Sequence, residues 1–202
     1  MPPHLPLTVL HAQAVHLGFD RPVLGPLSLE VPTGARWALT GPNGIGKSLL
    51  LKAVTGQARV HAGTLQLGPA TRVSLLAQDH PRRDPWPLCG HDWFRAMGAT
   101  PPDQPRVEAL LDRRLDRLSG GQWQLLRLAA ALHSSTDRPS GERLILLDEP
   151  ANHLDAEVRG DAVDLIASLP ADTTLVMTSH DDEFLQAVGA ENHPLTDYLD
   201  AR

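Results

Sequence analysis

Eight consecutive residues, Gly41-Pro42-Asn43-Gly44-Ile45-Gly46-Lys47-Ser48, satisfy the spacing G-x-x-x-x-G-K-S. Glycines let the backbone curl until successive N–H groups point inward at one anion. A helix starting at the same place adds its positive end. Lys47 then reaches the β- and γ-phosphates of a nucleotide, and the Ser48 hydroxyl is a ligand for Mg2+. A second group, Leu144-Ile145-Leu146-Leu147-Asp148-Glu149, ends an apolar run in two carboxylates. Ligands of α/β sheets bind at the C-terminal ends of strands, where this pair falls. Neighbours on a strand point to opposite sides, which predicts separate tasks for the two acids. Asp148 is expected to hold hydrated Mg2+, and Glu149 to polarise the water that attacks the γ-phosphate.

Between these groups lies Leu118-Ser119-Gly120-Gly121-Gln122. With it, the motif order from about Leu7 to Val188 resembles the ATP-binding cassette (ABC) ATPases. The resemblance implies ATP and Mg2+ as ligands and assigns further residues. Phe19 resembles the aromatic that stacks on adenine. Gln78 resembles the glutamine that senses Mg2+ and the γ-phosphate. Asn152-His153-Leu154-Asp155 resembles the D-loop, and His180 the switch histidine that contacts the γ-phosphate. Ser119, Gly120, Gly121 and Gln122 would cap the nucleotide held by a second cassette paired head to tail, so the resemblance implies an ATP-dependent dimer with two composite sites. The sequence also departs from the family. Leu49 replaces a threonine near the α-phosphate, Trp123 and Leu125 follow the signature where polar and basic residues are usual, and Ala151 opens the D-loop. The stretch His133–Arg143 is longer than usual. With 22 residues after His180, the strand hairpin that closes many cassettes is expected to be missing or degenerate.

The elements needed to position these groups are legible in outline. Short apolar runs from Leu7 to Val31, separated by Gly and Pro, predict strands and turns. Arg36–Thr40 reads as a buried strand feeding the glycine loop, and a helix follows until Gly56. Gly63–Leu67 and Arg72–Ala77 read as strands. Asp79–Arg117 opens on Pro81, Pro85 and Pro87 and predicts a helical insert, with helices near Asp92–Met97 and Arg106–Leu115. The signature then leads a helix to about Leu132, and residues 133–143 read as a surface loop. Leu144–Pro150 is a strand with its acids, and Asp155–Leu169 a helix capped by Asp155 and stopped before Pro170. Thr173–Thr178 is a strand, and a last helix runs from Asp181 or Asp182 to about Val188. Strands alternating with helices predict an α/β fold. With the resemblance, this is a P-loop NTPase fold of the ABC ATPase type. It has a mostly parallel core sheet, an N-terminal antiparallel β part and a helical subdomain at about 79–135. Residues 1–202 are read as one ATP-binding domain.

Composition sets the outer bounds. Residues are 42% hydrophobic and 21% charged over a length of 202, which fits a globular chain and excludes wholly disordered and collagen-like classes. Residues 1–147 carry 16 basic and 11 acidic side chains, net +5, and residues 148–202 carry 2 and 13, net −11. The acidic total argues against direct DNA binding. Lysine occurs twice, at Lys47 and Lys52, against 16 arginines. The lone Cys89 permits no intramolecular disulfide. The spacing of His80, Cys89 and His91 fits no strong metal pattern. With no apolar run of about 20 residues and no secretory leader pattern, the expectation is a soluble cytoplasmic protein, peripheral to a membrane only through a partner.

A cassette fixes the reaction but not the task. The first expectation is the nucleotide-binding subunit of a transporter, dimerised beneath a membrane permease. The second is an ABC-F-like factor acting on the ribosome. GPNGIGKS, ANHLD and SHDDEFLQAV resemble that group, although it usually has two cassettes and a charged helical linker. The third is an ATP-gated binding module without turnover, which the intact Glu149 and His180 disfavour.

Overall fold

In the computed structural model, residues 8–78, 87–134 and 141–200 are described. Strands β1 (Thr8–Gly18) and β2 (Pro22–Pro32) pair antiparallel. β3 (Arg36–Thr40) leads through the glycine loop into α1 (Lys47–Val54), and β4 (Arg59–Leu67) and β5 (Arg72–Leu76) follow. Helices α2 (Gly90–Ala96) and α3 (Pro105–Leu111) precede a 3-10 turn at Leu115–Arg117 and the longer α4 (Gly120–Leu132). The remainder is β6 (Arg143–Asp148), α5 (Ala156–Ala167), β7 (Thr174–Thr178), α6 (Asp182–Ala187), β8 (Glu191–Pro194) and a 3-10 turn at Leu195–Tyr198. Two sheets result. One is antiparallel in the order β2-β1-β4, and the other is parallel in the order β5-β6-β7-β3-β8.

Period-2 alternation divides the core. Ile145, Leu147, Leu175 and Met177 face α4 and α5, in a cluster that also holds Phe94 of α2 and Val107 of α3. Leu144, Leu146, Val176 and Leu39 face α1 and the antiparallel sheet. Leu144–Leu147 are covered on both sides, with at most 1% exposed, as a run without polar residues requires. Helix α4 is buried over most of its circumference, because it lies between the parallel sheet and the α2–α3 layer.

Caps explain the helix boundaries. Ser119 Oγ accepts from Gln122 N at 3.2 Å, and Gln122 Oε1 accepts from Ser119 N at 3.1 Å, a reciprocal capping box. Asp155 Oδ1 accepts from Val158 N at 2.9 Å, so the expected cap of α5 is present. Helix α2 starts earlier than expected, since Asp92 reaches back to the amide of Cys89 at 3.0 Å and occupies the third helical position. Helix α3 stops at Leu111, short of the expected Leu115, because the Leu115 amide donates to Leu88 O at 2.9 Å.

Two strands differ from expectation. β4 begins at Arg59, and Gly63 lies inside it. There the register against β1 shifts between Gln13 and His16, and Gly63 has φ +77°. A side chain at that bulge would meet Ala14 O at 2.2 Å, so the glycine marks a bulge and not a strand end. After α6, β8 pairs parallel with β3 (Trp37 with Glu191, Thr40 with Pro194), and the His193 ring stacks on Trp37 at 3.8 Å. The described residues therefore close on one short parallel strand in place of a hairpin. The expected proline-rich stretch 79–86, residues 135–140 of the polar loop, and Leu7 lie outside the described residues.

Candidate functional site

Parallel strands deliver their C-terminal ends to one edge of the sheet. β3 brings Gly41–Gly46, β6 brings Asp148, β7 brings Thr178 and then His180, and β5 brings Gln78. Between these ends is an open cavity of about 570 Å³ lined by Phe19, Asn43, Gly44, Ile45, Gly46, Lys47, Ser48, Leu49, Gln78, Glu149 and His180. Gly41, Pro42 and Asp148 are not among its lining residues. Lys47 Nζ donates to Gly41 O at 2.7 Å and to Pro42 O at 3.2 Å. Only 7% of Lys47 is exposed, so the loop carbonyls hold the ammonium in place. Gly46 has φ +115° at the start of α1, and a side chain there would meet Leu24 Cδ2 at 2.7 Å.

Beneath the loop the hydroxyls and acids interlock. Ser48 Oγ and Thr178 Oγ1 each donate to Asp148 Oδ1 at 2.8 Å. Thr178 Oγ1 also accepts from Glu149 N at 3.0 Å. Asp148 is 2% exposed, and two donated hydrogen bonds make that burial tolerable. Ser48 Oγ and Asp148 form a small set of hard oxygen donors, the chemistry suited to Mg2+ that arrives with phosphate oxygens.

Glu149 corrects one expectation. Strand β6 ends at Asp148, and Glu149 has φ +54°. Its direction is thus set by a left-handed backbone, not by strand alternation. Such a conformation costs about 1–3 kcal/mol in a non-glycine residue and persists only where neighbours fix it. Here Thr178 holds the Glu149 amide, and Gln124 Nε2 donates to Glu149 O at 3.4 Å and Pro150 O at 3.2 Å. The Glu149 carboxylate lies 3.5 Å from His180 Nε2. Burial raises its pKa above the usual carboxylate value, with the charge of Asp148 acting in the same direction. His180 and Lys47 oppose the rise.

The remaining expected residues divide. Phe19 lies in the turn after β1, not within a strand, and is 54% exposed with Lys52 Nζ 6.0 Å from its ring centroid. Gln78 is exposed just beyond β5. Ser119, Gly120, Gly121 and Gln122 do not line this cavity. They open α4, and the two glycines lie against His153. The sequence reading missed Thr178, Gln124 and Arg127. Thr178 was legible only as the last residue of an apolar strand, and the other two only as polar residues on an otherwise buried helix. Among the described residues no group of three or more His, Cys, Asp or Glu side chains could hold a metal, and no helix is long and apolar enough to cross a membrane.

Comparison with known proteins agrees with this geometry. The family model described as "ABC transporter" matches residues 24–152. The zinc import ATP-binding protein ZnuC of Marinobacter nauticus is 33% identical over 176 residues, covering 83% of this chain and 66% of that protein. The energy-dependent translational throttle protein EttA of Mycobacterium tuberculosis is 30% identical over 196 residues, covering 91% of this chain and 34% of that protein. The chain thus spans just under two thirds of the first relative and about a third of the second. A Pyrococcus furiosus protein provisionally named as an ABC transporter ATP-binding protein superposes with a TM-score of 0.71 at 20% identity, covering 95% of this chain and 99% of that one.

Proposed function

The chain belongs to the ABC transporter family, and from that membership we propose that residues 1–202 act as one ATP-binding domain that hydrolyses ATP to ADP and phosphate. Loop amides from Gly41 to Gly46 and the Lys47 ammonium take the phosphates, and Phe19 stacks on the base. Ser48 and Asp148 would hold Mg2+ and Gln78 would sense it, and when bound it would supply positive charge to the phosphate oxygens. Glu149 accepts a proton from the attacking water, and His180 orients that carboxylate and contacts the γ-phosphate. The observation that carries this reading is the lattice joining Ser48, Asp148, Thr178 and Glu149 beneath a buried lysine. Steady-state phosphate release tests it. Lys47→Ala should abolish binding of a fluorescent ATP analogue and turnover together, and unchanged turnover would overturn the assignment.

In the dimer we propose, Ser119 to Gln122 cap the nucleotide held by a second copy. The task we favour is the ATP-binding subunit beneath a membrane permease, as the name of the ZnuC relative suggests, placing the protein at the cytoplasmic face of a membrane. The EttA relative supports a second reading, a factor acting in translation. Fractionation of Glu149→Gln with ATP separates them. Recovery with membranes supports transport, and recovery with ribosomes supports translation.

A further inference from the structure

Four hydrogen bonds join two arms of the site that are far apart in sequence. Arg127 Nη2 donates to Ala77 O at 2.6 Å, at the residue immediately before Gln78. Arg127 Nη1 donates to Gln124 Oε1 at 2.9 Å. Gln124 Nε2 then donates to the carbonyls of Glu149 and Pro150. An amide side chain has one accepting and one donating end, and the guanidinium only donates. Arg127 therefore fixes which way Gln124 points. With Oε1 occupied by the guanidinium, Nε2 must face the Glu149–Pro150 backbone. Gln124 is 4% exposed, so a flipped amide would bury opposed donors and acceptors. The planar fork is also suited to serving a side chain and a backbone carbonyl at once.

We propose that Arg127 is a positioning residue for hydrolysis, a strut on α4 that sets Gln78 and Glu149 as one unit. It does not line the cavity, and it acts through Gln124 and Ala77. Because Ser119 caps α4 at Gly120, the same helix connects the signature to both arms. A shift of that end on dimerisation moves Gln78 and Glu149 together. The inference rests on the ATPase reading for its kinetic part, and its structural part is measured separately.

Arg127→Met keeps the aliphatic stem and removes the fork. Its affinity for a fluorescent ATP analogue should stay within about twofold of wild type, while kcat falls about tenfold or more. Combined with Gln78→Ala, it should cost less than it does in the wild-type background, because the Ala77 arm is already lost while the Gln124–Glu149 arm remains. Backbone hydrogen exchange reads the strut without turnover. Exchange should rise in both 76–78 and 149–152 in the Met variant. If the Met variant does not fold, Arg127→Lys takes its place with the same split expected, since one ammonium lacks the fork. Wild-type kcat in the variant, multiplicative losses in the double variant, or unchanged exchange at either segment would overturn the proposal. A wild-type protein without hydrolysis sinks the ATPase reading alone, and exchange still decides the strut.

Discussion

Glu149, the base in the proposed reaction, is a strained residue. Its backbone is left-handed at φ +54°, its amide is held by Thr178, and burial keeps its acid form favoured above the usual carboxylate range. A base works only when ionised, so a raised pKa moves the acid limb of activity toward neutral pH. We expect kcat/KM, which reports the free enzyme, to fall on acidification through a pKa above that of an ordinary glutamate. A limb at the ordinary value would contradict the burial argument. The sequence made the residue legible but gave the wrong cause for its direction. No pattern of residue types encodes a strand that stops one position before Glu149. The left-handed turn is imposed by Thr178 and Gln124, which lie 29 and 25 positions away in the chain.

Helix α4 carries the signature at one end and the strut in its middle. Its capping box predicts that Ser119→Ala costs about 1 kcal/mol of stability, measurable by urea unfolding. Leu128 is fully buried between the sheet and the helical layer, and Leu128→Ala should cost about 2–5 kcal/mol through the cavity it leaves. A smaller loss at Leu128 than at Ser119 would invert this ranking. Elements buried nearly all round, such as α4 and β6, were legible because that burial demands long apolar runs. Gly63 misled because a glycine inside a strand and a glycine before one look alike until the partner strand is known. β8 was illegible for a different reason. Glu191-Asn192-His193-Pro194 has no β-branched residue, and its place is set by the edge of β3 and by stacking on Trp37.

For the whole molecule, the separation of Ser119–Gln122 from the cavity is the fact with the largest consequence. A glycine-bearing helix start set outside the cavity fits the proposed pairing of two copies. Glu149→Gln should double the apparent mass on size-exclusion chromatography with ATP and stay monomeric without it. A monomer under both conditions would count against shared sites. The strand order has its own consequence, in the timing of synthesis. β3, which supports the phosphate loop, pairs only with β7 and β8 among the described strands. During translation that apolar strand waits for about 130 further residues before a neighbour exists. Pairings so distant in sequence form late and slowly. An unsatisfied apolar edge is the feature that chaperones bind and aggregates recruit. Protease resistance of nascent chains should therefore appear abruptly, only after residue 178 has left the ribosomal tunnel, and not in steps as each helix is made.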